Sequence, residues 1–124
     1  MSTTTGPDFI SFQVRDREAA TLFYEDVVGL TRLPAPNPAA AIFASGTGVA
    51  FAVRDPFPGV DLDAIGQLGA GTGVRFHNAD LESLHARLLA AGAAIVQEPQ
   101  EGPFGLQVSF RDLDGYVVTA HSRA

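Results

Sequence analysis

One short pattern occurs twice in this chain: a strand-like alternation, an Asp placed to cap a helix, an amphipathic stretch and a closing Gly. In the first copy, FISFQVRDREAATLFYEDVVGL, Ile10, Phe12 and Val14 alternate with Ser11, Gln13 and Arg15, the period of a half-buried strand. Asp16 stands where an N-cap belongs. Ala19, Leu22, Phe23 and Val27 follow at helical spacing, and Gly29 ends the stretch. In the second copy, GVRFHNADLESLHARLLAAG, Val74 and Phe76 alternate with Arg75 and His77. Asp80 then caps, Leu81, Leu84, Leu88 and Ala91 form the apolar stripe, and Gly92 closes it. Asp80 lies 64 residues after Asp16 and Gly92 lies 63 after Gly29, so one unit is repeated.

Each copy is followed by three extended candidates. After the first come TRLPAP, AAIFAS and VAFAVRD, with turns supplied by PAPNP and SGTG. After the second come AIVQEP, LQVSFRD and YVVTAH, the last two joined by the hairpin signal Asp114-Gly115. The spacing predicts an α+β fold of two βαβββ repeats, about residues 8–55 and 73–122, forming a curled, half-barrel mixed sheet. Residues 56–72, with PFPG and GQLGAGTG, read as the linker and are expected to hold a short helix near Leu62–Leu68. Either half alone would bury too little surface, so residues 1–124 are expected to fold as one domain.

Composition narrows the function classes. A net charge of −6, with eight scattered Arg and no Lys, argues against a nucleic-acid partner, which demands clustered cations. No apolar run approaches the about 20 residues that span a bilayer, so no membrane partner is expected. Met1–Pro7 reads as a frayed leader and not a secretory signal. The absence of cysteine removes disulfides, thiolate nucleophiles and thiolate-bound zinc, and makes a reducing cytoplasm the expected compartment.

FYEDVVGL (23–30), HARLLAAGAAIVQEP (85–99), GPFG (102–105) and DLDGY (112–116) resemble the glyoxalase / bleomycin-resistance / extradiol-dioxygenase superfamily, the vicinal oxygen chelate fold, over nearly the whole chain from Phe9 to His121. The resemblance implies a cup of curled sheet and, in metal-dependent members, four inward ligands. The His seven residues before each capping Asp corresponds here to Phe9 and Gly73. The acid four residues past the last turn Gly corresponds to Thr119, and the remaining acid falls at Ala52 or Arg54. Phe, Gly and Ala carry no side-chain lone pair, so no metal and no cofactor is expected at the inherited site.

Strand parity then places Phe9, Ser11, Gln13, Ala50, Ala52, Arg54, Arg75, His77, Thr119 and His121 on the cup face. His77 and His121 could supply two displaced metal ligands. The competing reading has His77 hydrogen-bonded at a strand end, His121 exposed near the C-terminus, and His85 solvated on its helix. Arg54 and Arg75 either pair with Asp55, Glu98 or Glu101, or meet an anionic group on a ligand. Phe57 and Phe104 lie in loops, where a large ring either anchors the loop or faces a ligand. Asp61/Asp63 and Asp112/Asp114 read as turn and cap residues. The expected function is a metal-free small-molecule-binding protein that sequesters a drug or metabolite in the cleft of a homodimer. The alternative is a metal-dependent lyase or dioxygenase with displaced ligands such as His77 and His121.

Overall fold

The computed structural model describes residues 3–34 and 37–123. The first repeat gives β1 (Phe9–Gln13), α1 (Arg17–Leu22) running on into a π-helical segment (Phe23–Val28), β2 (Arg32–Leu33), β3 (Ala40–Phe43) and β4 (Ala50–Arg54). The second gives β5 (Arg75–His77), α2 (Leu81–Ala90), β6 (Ile95–Gly102), β7 (Gly105–Arg111) and β8 (Val117–His121). Each repeat builds its own four-stranded, unclosed sheet, ordered β1-β4-β3-β2 and β5-β8-β7-β6. Both sheets are mixed: β1 runs parallel to β4 and β5 parallel to β8, while the remaining neighbours are antiparallel. The α+β class and the doubled βαβββ order are as the repeat predicts.

The two capping aspartates do what their positions require. Asp16 Oδ1 accepts from the Ala19 amide at 3.1 Å, and Asp80 Oδ1 accepts from the Ser83 amide at 3.1 Å. Such a cap contributes about 1 kcal/mol. Gly29 closes the first helix at φ 94°, in the left-handed region where a Cβ would be strained.

Three details differ from the sequence expectation. The first helix widens after Leu22, so that the amides of Gly29 and Leu30 both donate to the Tyr24 carbonyl, at 3.1 and 2.9 Å. Ala20, Phe23, Tyr24 and Val28 face the core and Leu22 is 55% exposed, so the predicted stripe of Ala19, Leu22, Phe23 and Val27 is shifted. On α2, Leu81, Leu84 and Leu88 are buried as expected, but Ala91 sits exposed at the C-cap. The short helix expected at Leu62–Leu68 is a single 3₁₀ turn, Leu62–Ala64. Thr3–Pro7 are exposed and carry no regular structure, while Met1 and Ser2 of the expected leader, and Ala35 and Pro36 of the PAPNP turn, lie outside the described residues.

One core joins both repeats. Phe12, Tyr24, Phe43 and Phe51 from the first meet Leu81, Leu84, Leu88, Val108, Phe110 and Val118 from the second. Tyr116 closes the seam between them, its ring stacked on Phe12 (4.1 Å, 11°) and its hydroxyl donating to the Gln13 carbonyl at 2.8 Å. Beside it the Arg15 amide donates to Asp114 Oδ1 at 2.9 Å. The alternate residues of β1, β4, β5 and β8 point away from this core and form the opposite face of each sheet.

Candidate functional site

Register fixes which side chains stand beside one another on that opposite face. Phe9 pairs with Ala50, Ser11 with Ala52 and Gln13 with Arg54 in the first sheet. Arg75 pairs with Thr119 and His77 with His121 in the second. Phe9, at the start of β1, is 51% exposed.

The residues at the four positions that the resemblance assigns to metal ligands do not suit a divalent ion. Phe9, Ala52 and Gly73 offer no lone pair, and Thr119 offers one hydroxyl, already bonded to the Ser109 hydroxyl at 2.7 Å. Arg54, the other residue weighed for the fourth position, is itself a cation. Among the described residues no three His, Asp or Glu side chains converge where they could hold an ion.

Two clusters occupy the face instead. In the first, the Arg54 guanidinium lies 3.8 Å over the Phe57 ring, and Gln13 Oε1 accepts from the Phe57 amide at 2.8 Å. Gln13 thus fixes the loop that presents the ring. Arg54 Nε donates to the Asp55 carbonyl at 3.0 Å. The Asp55 carboxylate, which the sequence offered as its partner, is taken by Arg17 NH1 at 2.5 Å. A guanidinium on a ring face gains about 0.5–1 kcal/mol at an exposed site, less than a buried carboxylate partner would supply.

In the second cluster Arg75 lies 5.0 Å over the Phe104 ring and donates to Gln107 Oε1 at 3.3 Å. Neither Glu98 nor Glu101 pairs with it: Glu98 Oε2 stands 3.2 Å from His85 Nε2. His85 is therefore half-buried beside an acid and not solvated, which corrects the sequence expectation. His77 Nε2 is 3.2 Å from the Ser122 carbonyl, as expected of a strand-end His. His121 is not exposed as expected. It packs 5.6 Å from the Phe104 ring and 6.0 Å from the His77 ring, with Nδ1 buried and unpartnered among the described residues. Burial first, then electrostatic repulsion from His77 and from the Arg75 guanidinium, holds its pKa below the usual 6.5.

Eight of the nine predicted site residues therefore fall into two groups, Gln13/Arg54/Phe57 at the first sheet and Arg75/His77/Phe104/Thr119/His121 at the second, while Phe9, paired with Ala50 at the start of β1, joins neither. Phe57 and Phe104 each keep nearly half their surface exposed (47% and 46%), so both rings retain a free face. Gln107 and Ser109 were missed, although LQVSFR alternates them with Val108 and Phe110 and so carried the signal. A cavity of about 580 Å³, not foreseen, opens between the β3–β4 turn and β5. A second cleft of about 590 Å³ lies outside α1, against Arg17, Glu18 and Arg32.

Residues 6–119 match the model of the Glyoxalase/Bleomycin resistance protein/Dioxygenase superfamily, and the chain belongs to that superfamily. None of the curated protein sequences matches this one. Among solved structures, TnmS3, an antibiotic binding protein from Streptomyces sp. CB03234, aligns at 26% identity and TM-score 0.76 over 100% of both chains. A glyoxylase/bleomycin resistance protein/dioxygenase domain from Frankia sp. EAN1pec aligns at 26% identity and TM-score 0.76, over 98% of this chain and 100% of that one. The fosfomycin resistance protein FosX from Listeria monocytogenes, solved with Mn(II), shares the fold at 14% identity and TM-score 0.73, over 98% of this chain and 93% of that one.

Proposed function

We propose that this protein is a metal-independent binder of small organic molecules that sequesters a planar drug or metabolite. The reading is carried by Phe9, Ala52, Gly73 and Thr119, which stand at the positions the family resemblance assigns to metal ligands, together with two guanidinium–ring pairs whose rings are nearly half exposed. Phe57 and Phe104 would stack on a planar ligand, while Arg75 and His121 would meet an anionic or hydroxyl oxygen. The full-length likeness to TnmS3, an antibiotic binding protein, supports the same reading.

Both clusters lie open to solvent in one chain, and a homodimer that brings one cluster of each copy together would enclose the ligand. A cytoplasmic setting belongs to the same proposal, given the cysteine-free chain. No helix among the described residues is long and apolar enough to cross a membrane. A thermal-shift screen of planar antibiotics against divalent metals tests the reading. A rise in Tm with drugs alone supports it, and a rise with metals alone contradicts it.

The second reading, a metal enzyme with displaced ligands, is favoured only by the pairing of His77 with His121. Two imidazoles are one ligand short of an ordinary catalytic site.

A further inference from the structure

At one matched position the two repeats carry side chains of very different size, Val49 and Tyr116, and the smaller one lines the cavity beside β5. Gln13 pairs with Arg54 in the first repeat as His77 pairs with His121 in the second, so the strands superpose with Arg54 matching His121. Five residues before each stand Val49 and Tyr116. Likewise Phe12 precedes Gln13 as Phe76 precedes His77. Tyr116 stacks on Phe12 and donates its hydroxyl to the carbonyl of Gln13. In the other repeat, Val49 has neither a ring to stack on Phe76 nor a hydroxyl to donate to the His77 carbonyl.

The consequences are visible at those partners. Phe12, covered by Tyr116, is 7% exposed, whereas Phe76 is only half-buried. Val49, Phe76 and His77 all line the cavity of about 580 Å³, with Ile10, Phe51 and His121. In β5 the Val74 carbonyl and the Asn78 amide bond to β8, so the intervening Arg75 and His77 turn their backbone groups to the free edge. The His77 carbonyl therefore lies on the free edge of β5, as the Gln13 carbonyl lies on that of β1. His121 adds a buried Nδ1 with no partner among the described residues.

We propose that this cavity is a subsite for one hydroxylated aromatic ring of a ligand, stacked on Phe76 and donating to the His77 carbonyl. The ring takes the place that Tyr116 fills in the other half, and a second ring oxygen meets His121 Nδ1. An offset-stacked ring and one hydrogen bond are the interactions that the protein itself uses at Phe12. The subsite rests on the small-molecule reading above and adjoins the Arg75–Phe104 cluster, sharing Arg75 and His121 with it, while Phe76, packed against Tyr24 and Phe51, belongs to the cavity alone.

The test uses 2-naphthol and 2-methoxynaphthalene, which lacks the donor, followed by amide shifts in NMR titrations. Naphthol is expected to move the amides of Val49, Phe76 and His77, and the methoxy compound to bind at least fivefold more weakly. Val49→Tyr should fill the cavity from within, keep or raise Tm, and weaken naphthol at least tenfold. Should that variant not fold, Phe76→Leu must weaken naphthol about fivefold. Equal binding of the two probes, or unchanged naphthol binding in these variants, overturns the subsite. So does dissociation of a native dimer by Val49→Tyr, because a second copy would then own the cavity. An anthraquinone that binds the wild type while naphthol leaves Phe76 untouched removes the subsite alone. Naphthol at Phe76 with no anthraquinone binding anywhere keeps the subsite and removes the cleft.

Discussion

The hydroxyl of Tyr24, on the widened first helix, donates a 2.6 Å hydrogen bond to Oδ2 of Asp112, in the turn before the last strand. Asp112 Oδ1 also accepts from the amides of Asp114 and Tyr116, at 2.9 and 3.0 Å. One buried carboxylate thus ties a repeat-1 helix to the repeat-2 hairpin. Tyr24→Phe leaves Oδ2 without its donor and is expected to cost about 1–3 kcal/mol. Urea unfolding should show a lower midpoint at unchanged slope.

Stability should depend on pH through two groups of opposite sign. Burial, outweighing three hydrogen bonds, lifts the Asp112 carboxyl above its usual 3.8, so the folded state binds that proton more tightly than the unfolded chain. Its contribution therefore falls as pH rises from 3.8 through the folded value. His121 is held below 6.5, so the unfolded chain binds its proton more tightly and stability is lost as pH falls below 6.5 towards the folded value. Urea midpoints across mildly acidic pH should flatten in His121→Gln.

Gly69 lies at φ 77°, and a Cβ there would come within 2.9 Å of Tyr116 Cδ1. That ring is stacked on Phe12 and its hydroxyl is bonded to the Gln13 carbonyl, which resists its displacement. Gly69→Ala is expected to destabilise by about 1–3 kcal/mol through strain and overpacking, read as a drop in Tm. Gly66→Ala, with open space around its Cβ and no positive φ, serves as the neutral control.

Arg75 is the charged group expected to meet an anionic ligand oxygen. Arg75→Gln should weaken a carboxylated anthraquinone about tenfold, since a hydrogen bond to a charged partner contributes about 1.5–3 kcal/mol. It should also reduce the salt dependence of binding by calorimetry, while the uncharged parent compound changes little.

Much of the fold was legible because its signals are local. Asp16 and Asp80 announce helix starts by their own side chains, and Asp114-Gly115 announces its turn. Parity along β1, β4, β5 and β8 sorted core from cup, which is why the Arg75, His77, Thr119 and His121 grouping was readable. What escaped depends on distant contacts. The π-helical segment accompanies Tyr24 reaching Asp112, 88 residues away. His85 on α2 meets Glu98 on β6 only in the folded chain, and the cavity at Phe76 forms only where Val49 and Phe76, from different repeats, line it together.

Metal-independent binding is the central proposal, and calorimetric titration of a planar antibiotic into protein stripped with a chelator tests it most directly. Equal affinity before stripping, after stripping and after adding Mn(II), Ni(II) or Zn(II) is the predicted result. Binding or turnover that vanishes on stripping and returns with one metal would contradict it.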